Sequence, residues 1–218
     1  MLLLGLGLSA CAATRAPSDS AALSGQWRLD PAASDNLDAK VTRAVDSAEH
    51  KLRARLGARG RAAGGRGGGP GGAAGGGPGG KGGDSGGDTP ITTADEFGNI
   101  TGIAPDFRQL RERLLQTLQA PGMLVVNVQP DQVDIRHDGL PARDYQPGET
   151  LTRLDEYGTA ALQARWSGGA FELRERYTNG ARLTERYEVG RDGTLSCTRS
   201  LTDPTVGKLL IKSVYRRT

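Results

Sequence analysis

The last third of the sequence alternates apolar and polar residues, and this pattern constrains the fold more than any other feature. Alternation of this kind is typical of strands with one buried face. Turns that contain glycine separate the segments, so they predict an antiparallel meander of hairpins. In four successive segments the apolar residues fall on one parity: Leu162, Ala164 and Trp166; Phe171, Leu173 and Tyr177; Leu183, Tyr187 and Val189; Leu195, Cys197 and Leu201.

The turn lengths can be checked against this alternation, because a slip of one residue would turn every core side chain toward water. A two-residue turn at Gly168-Gly169 pairs Trp166 with Phe171, and glycine readily takes the positive φ that such a turn needs. Three-residue loops at 178–180 and 191–193 keep the same face buried in the next two hairpins. Three consecutive hairpins therefore agree on one buried face.

This register predicts charged residues on the apolar face. Glu185 lies opposite Arg199, and Glu175 lies on the same face of the preceding strand. A charge on a core face must be paired or hydrated. Two interpretations remain open. One is a structural Glu–Arg pair at an open end of the sheet, and the other is a cavity in which these three residues, with Tyr177 and Tyr187, bind an amphipathic ligand.

The preceding part of the chain predicts one further strand, two helices and several weaker strands. Residues 23–30 form the first strand, and Ser34 or Asp35 caps a helix whose apolar stripe runs from residue 37 to residue 56. A second helix spans residues 107–118, between two prolines. Weaker strand patterns follow at 124–128, 133–137 and 149–154.

A glycine-rich segment divides the chain. Between residues 64 and 87, 16 of 24 residues are glycine. Such a segment buries too little apolar surface to offset its ordering entropy, so we expect a disordered spacer. The expected organisation is a signal peptide at 1–10, a flexible tether at 11–22, the first strand and helix at 23–56, a Gly-rich disordered insertion at 57–99, and a helix plus β meander at 100–218 that completes the same single domain.

The basic residues are concentrated in one place. Residues 51–66 hold six Lys or Arg residues and no Asp or Glu. The rest of the chain holds 22 basic and 25 acidic side chains, so the net charge of +3 comes from this one segment, and we expect no binding to nucleic acid. A basic segment beside a flexible linker suits an anionic surface such as lipid head groups or wall polymers. Solvated charges that keep a linker soluble are the alternative. The basic segment comprises Lys51, Arg53, Arg55, Arg59, Arg61 and Arg66.

We expect the chain not to be an enzyme, and to need neither a metal nor a cofactor. His137 precedes Asp138-Gly139, a dipeptide typical of a turn, and adjacent strand side chains point to opposite faces. His50 has no other ligand type near it at metal-binding spacing. Cys197 lies within a strand on the apolar face, as a buried small hydrophobe would. No GxSxG, HExxH or phosphate-loop motif occurs.

The N-terminal segment resembles a bacterial lipoprotein signal. An apolar run ends in Leu8-Ser9-Ala10-Cys11, which matches the lipobox of that family. In such proteins the signal peptide is cut before the cysteine, which then carries a diacylglycerol thioether and usually an N-acyl chain. The resemblance implies lipidation of Cys11. Because Ala12 is not the aspartate associated with retention in the inner membrane, it also implies an outer-membrane lipoprotein that faces the periplasm.

The first and last strands suggest the fold family. A Gly-x-Trp strand (Gly25, Trp27) and a meander that ends in Val214-Tyr215-Arg216 resemble the small lipocalin-like barrels of secreted bacterial proteins. We therefore expect a mainly antiparallel β fold of about eight or nine strands, as a lipocalin-like barrel or a curved meander sheet, with one or two packed helices. A two-layer sheet with helices on one face is the alternative.

Two functions are compatible with this fold. The first is a lipid-anchored, non-catalytic envelope lipoprotein whose β domain binds a hydrophobic or amphipathic ligand. The alternative is an interaction or scaffolding lipoprotein that contacts another envelope protein or the cell wall and encloses no ligand. A continuous cavity favours the first function, and an open strand edge or an exposed apolar patch favours the second.

Overall fold

The computed structural model describes residues 16–63 and 105–218, which form one ten-stranded antiparallel sheet and two α-helices. A short 3-10 helix at Ser18–Leu23 precedes them. The helices are α1 (Leu37–Ala63) and α2 (Phe107–Leu118). The strands are β1 (Gly25–Leu29), β2 (Met123–Val128), β3 (Val133–His137), β4 (Arg143–Tyr145), β5 (Thr150–Asp155), β6 (Gly158–Ser167), β7 (Ala170–Tyr177), β8 (Arg182–Val189), β9 (Leu195–Asp203) and β10 (Gly207–Arg217).

The first strand joins two meanders into one sheet. β1 pairs with β2 on one side and with β10 on the other, and the order across the sheet is β4-β3-β2-β1-β10-β9-β8-β7-β6-β5. Within the described residues, β4 and β5 are therefore the two edges. The sheet curls strongly, as the contact between Tyr145 of β4 and Phe171 of β7 shows: their ring centroids lie 6.2 Å apart. The fold is thus a curled antiparallel sheet, and the predicted fold class is confirmed.

The strand count is ten, where the sequence predicted about eight or nine. The additional strand is β4, which has only three residues, Arg143–Tyr145. A strand this short shows too little alternation to be recognised from its own sequence. It is held by pairing with β3, where Tyr145 lies opposite Val133.

The three predicted hairpin registers are confirmed. Trp166 pairs with Phe171 across the Gly168-Gly169 turn, and Tyr187 pairs with Cys197 across the later loop. In the middle hairpin, the backbone N–H of Tyr177 donates to the carbonyl of Ala181 at 2.9 Å, which leaves three residues in the loop.

The start of α1 differs from the expectation. Ser34 and Asp35 do not cap the helix, because their side chains accept hydrogen bonds from backbone N–H groups of β10 at 2.9 and 2.7 Å. Asn36 takes the capping role, and its Oδ1 accepts from the N–H of Ala39 at 2.9 Å. The helix extends to Ala63, beyond the predicted end at residue 56. α2 has the predicted bounds.

The N-terminal boundary of the domain also differs. Residues 11–22 were expected to form a flexible tether, but Ser18–Leu23 forms a 3-10 helix that ends on the buried Leu23. The indole Nε1 of the fully buried Trp27 donates to the Leu23 carbonyl at 3.0 Å, which ties this segment to β1. The Gly-rich insertion was predicted at 57–99, and α1 extends into its first residues, to Ala63. The prediction for the signal peptide and the rest of the insertion, residues 64–99, lie outside the described residues.

The inward-facing apolar residues form two clusters. The sheet cluster packs residues of β1 to β4 against residues of β6 to β10, and the helix cluster packs α1 and α2 over one end of the curled sheet. The sheet cluster includes Trp27, Leu124, Val126, Val133, Ile135, Tyr145, Phe171, Leu173, Tyr187, Leu195, Cys197 and Tyr215. The helix cluster includes Val41, Val45, Leu110, Leu114, Leu118, Tyr157, Ala160, Tyr177, Leu183, Leu201, Leu209 and Ile211.

On the outer face, Glu172 of β7 links three strands through arginines. Its carboxylate lies 2.9 Å from Arg165 of β6, 2.8 Å from Arg186 of β8 and 3.1 Å from Arg174 of its own strand. Burial by itself would raise the pKa of Glu172, but the hydrogen bonds from Arg165 and Arg186, together with the nearby positive charges, hold this pKa below its ordinary value. The carboxylate therefore stabilises this part of the sheet in its charged form.

We expect Glu172→Gln to lower the free energy of unfolding by about 1 kcal/mol at pH 7. Because the folded-state pKa of Glu172 is lowered, its contribution is complete above its unfolded-state pKa and is lost as the pH falls through the folded-state pKa. Urea unfolding at pH 7 and pH 3 should show a smaller difference from wild type at pH 3 than at pH 7. Glu188→Gln is the matched control, because Glu188 is exposed and its carboxylate bonds only Arg186 among the described residues. An equal loss at both pH values would contradict this account.

Candidate functional site

A layer of polar side chains crosses the interior between the two apolar clusters. Along β8, the inward-facing residues run from Leu183 of the helix cluster through Glu185 to Tyr187 of the sheet cluster. Along β9 they run from Leu201 through Arg199 to a buried cysteine. This polar layer consists of Glu175, Glu185, Arg199 and Ser213, all of which are buried, and of Arg153, which reaches it from β5.

Glu185 and Arg199 form the ion pair that the register predicted. They are direct partners across β8 and β9, and Arg199 Nε donates to Glu185 Oε1 at 3.3 Å. The Tyr187 hydroxyl donates to the other carboxylate oxygen at 2.5 Å. Burial alone would raise the pKa of Glu185, but the Arg199 charge and the Tyr187 hydrogen bond hold it below its ordinary value. The pair is therefore ionised in the interior.

A second pair adjoins the first. Arg153 Nη1 lies 2.7 Å from Glu175 Oε1, and the Tyr177 hydroxyl donates to Glu175 Oε2 at 2.5 Å. Burial raises the pKa of Glu175, although the Arg153 charge opposes this effect. A strand was predicted at 149–154, but Arg153 was not expected on its inner face. The alternation of residues along the strand indicates this orientation, because Arg153 pairs with the inward-facing Ala160.

The curl of the sheet also brings His137 toward the polar layer. His137 lies on the inner face of β3, opposite Leu124 of β2. Its burial lowers its pKa, and the nearby charge of Glu185 acts in the opposite direction. Asp138 turns away and accepts a hydrogen bond from the N–H of Met123 at 2.7 Å. The predicted turn at Asp138-Gly139 is confirmed, and no His–Asp dyad forms there.

Two buried donors in this region have no hydrogen-bond partner among the described residues. They are Nη1 of Arg199 and the hydroxyl of Tyr215, whose residues are 2% and 0% exposed. Burial raises the pKa of Tyr215, while the charge of Arg199 and the approach of its guanidinium to the hydroxyl lower it, so the two side chains lie close together without reaching hydrogen-bond geometry. They come from adjacent strands, β9 and β10. Two such donors together can bind a hydrogen-bond acceptor, and an anionic acceptor best.

The other candidate residues take the places that the sequence indicated. Cys197 is fully buried, and burial raises the pKa of its thiol to about 11. His50 is exposed on α1. Within residues 16–63 and 105–218 there is no group of three or more His, Cys, Asp or Glu side chains that could hold a metal ion. In the same residues, no helix combines the length and the apolarity needed to cross a membrane.

The basic segment is only partly described. Lys51, Arg53 and Arg55 are exposed on α1, and Arg53 forms an ion pair with Glu49, one turn earlier. This pair neutralises part of the local charge that the sequence showed. The side chains of Arg59 and Arg61, and the whole of Arg66 and Cys11, lie outside the described residues.

The buried ion pair between Glu185 and Arg199 should affect the free energy of unfolding. Arg199→Met alone leaves Glu185 desolvated without its cation, and this should cost about 3 to 5 kcal/mol. In the double variant Glu185→Leu/Arg199→Met only the Tyr187 hydroxyl loses its acceptor, so the double variant should be the more stable of the two. A double-mutant cycle by urea unfolding measures the coupling. A coupling near zero would contradict the pairing.

Comparisons with known proteins give structural similarity only. No protein-family model matches the chain, and no curated protein does. Among solved structures, the chain is similar to apo lipid binding protein 8 of Caenorhabditis elegans, with a TM-score of 0.46 and 10% identity over 93% of this chain and 99% of that one. It is also similar to a REP1-NXSQ fatty acid transporter, with a TM-score of 0.43 and 12% identity over 90% and 96% of the two chains.

Proposed function

We propose that this chain is a lipid-anchored envelope lipoprotein whose β domain binds an amphipathic molecule with an anionic head group. The observation that carries the ligand proposal is the pair of buried donors, Arg199 Nη1 and the Tyr215 hydroxyl, without partners among the described residues. Buried donors are normally satisfied, so a pair of them on neighbouring strands suits an acceptor supplied by a ligand. No step of this role is catalytic, and the absence of enzyme activity stays a prediction.

The two apolar clusters would contact the apolar part of such a ligand. The polar layer lies between them, so a head group bound at Arg199 has apolar side chains on both sides. Arg199 uses Nε to bond Glu185 and keeps Nη1 for the ligand. The ion pair therefore holds the guanidinium in place before the ligand binds. Of the residues predicted to bind a ligand, Glu185 and Tyr187 position Arg199. Glu175 belongs to the adjoining ion pair with Arg153 and accepts a hydrogen bond from Tyr177.

Tyr215→Phe tests this site directly, because it removes one hydroxyl and no packing volume. Palmitate, which has a carboxylate head, and hexadecanol, which has a neutral one, serve as probes in calorimetric titrations of the full chain. We expect the variant to bind palmitate about fivefold more weakly, with a smaller change for hexadecanol. Tyr145→Phe is the matched control, because it removes the hydroxyl of another buried tyrosine, on the edge strand β4 and not on a strand next to β9. Equal losses in both variants, or no binding of either probe, would overturn the ligand proposal.

One observation favours the alternative, an interaction lipoprotein. The edge strand β5 exposes Leu151 and Leu154, at 44% and 79% of their surfaces. An open edge with exposed leucines can pair with a strand of another protein. If both probes fail to bind, this edge becomes the better candidate for the functional surface.

The lipid anchor rests on the resemblance of Leu8-Ser9-Ala10-Cys11 to a lipobox. We expect Cys11→Ser to move the protein from the membrane fraction to the soluble fraction in high salt, while wild type stays with the membrane. High salt removes binding through exposed cations such as Lys51. Residual binding of the variant in low salt only would therefore be assigned to the basic segment. A variant that still sediments with membranes in high salt would refute the anchor.

A further inference from the structure

The outer face of β6 to β9 carries an excess of arginine on a regular array. The outward-facing residues align in three rows that cross the four strands. We call these twelve positions the arginine grid. The rows are Arg165, Glu172, Arg186 and Thr198; Gln163, Arg174, Thr184 and Ser200; and Ala161, Arg176, Arg182 and Thr202.

The charges of the grid are not balanced. It holds five arginines and one carboxylate, Glu172, which already contacts three of them. Arg176 and Arg182 are exposed and directly opposite each other, and among the described residues no carboxylate lies within ion-pair distance of either. Like charges directly opposite on a sheet destabilise it. An external anion between these two guanidinium groups would remove that repulsion.

The grid also offers neutral hydrogen-bonding groups beside the arginines. Side chains of Gln163, Thr184, Ser200 and Thr202 are exposed or half-buried next to the charged positions. Strands lie about 4.8 Å apart, and outward-facing residues along a strand lie about 7 Å apart. A polymer with regularly spaced anionic groups could therefore contact several of these arginines at once. Hydroxyl and amide groups at this spacing suit the hydroxyls of a sugar chain.

The composition of the grid disfavours two other polyanions. It contains no aromatic side chain on which a nucleic acid base could stack. Its only apolar side chain is the methyl group of Ala161, and one exposed leucine, Leu210 of β10, lies beside it opposite Ser200. The grid itself therefore presents cations and hydroxyl groups, not an apolar surface that would insert among the acyl chains of a membrane. An acidic sugar polymer matches both the charge and the hydroxyl groups.

We propose that the arginine grid binds an anionic polysaccharide. Sulfate, phosphate or carboxylate groups of the polymer contact Arg174, Arg176 and Arg182, and its sugar hydroxyls contact the neighbouring threonines. The grid faces away from the polar layer, because successive residues of a strand point to opposite faces. This second binding surface is therefore independent of the interior ligand.

The test uses heparin, a sulfated polysaccharide, in calorimetric titrations of the full chain at several salt concentrations. We expect Arg176→Gln/Arg182→Gln to bind heparin about tenfold more weakly, with a shallower salt dependence. The variant should keep its thermal midpoint, because the substitution removes a repulsion. Neutral dextran should not bind.

Arg136→Gln/Arg191→Gln is the matched control, since it removes the same charge from two exposed arginines outside the grid. All variants keep the basic segment, so its contribution is common to them. The proposal is supported if the control binds heparin like wild type. It is overturned if both double variants lose affinity equally, or if the grid variant loses none. It is also overturned if a DNA duplex or phosphatidylglycerol vesicles bind as tightly as heparin with the same dependence on Arg176 and Arg182.

Discussion

Three tight hairpins determine on which side of the sheet each residue of β6 to β9 lies. A slip of one residue at any turn would exchange the inner and outer faces of the following strand. In the observed register, Glu185 and Arg199 are opposite each other on the inner face, and Arg176 and Arg182 are opposite each other on the outer face. The two proposed binding surfaces therefore depend on the same turns, although they lie on opposite sides of the sheet.

The polar layer adds no more to the free energy of unfolding than an apolar core of the same volume would. An apolar pair of similar volume in place of Glu185 and Arg199 would often be equally stable or more stable, because desolvation offsets most of the attraction within an ion pair. A layer that served folding alone would also satisfy its own donors. Arg199 Nη1 and the Tyr215 hydroxyl remain unsatisfied within the described residues, while Arg199 Nε is bonded to Glu185. This division within one side chain favours a binding role.

The sequence predicted what depends on neighbouring residues and missed what depends on the curl of the sheet. The Glu185–Arg199 pair follows from loop length and alternation, which are local properties. The approach of His137 to Glu185 does not, because β3 and β8 are joined only through four intervening strands. The cap at Asn36 was missed for the same reason, since β10 occupies the side chains of the two better-placed candidates. Side chains that come together only because the sheet curls produce no periodic pattern in the sequence.

The proposed anchor and the first described residues of the chain together restrict where the domain would lie. The backbone N–H of Ala16 donates to the carbonyl of Pro130 at 3.4 Å, so the chain meets the sheet only five residues after Cys11. Five residues span at most about 18 Å when fully extended. A lipid on Cys11 would thus hold the loop between β2 and β3 close to the membrane surface. That distance is too short for the domain to move freely away from the bilayer, so an amphipathic ligand would pass between membrane and interior over a short path.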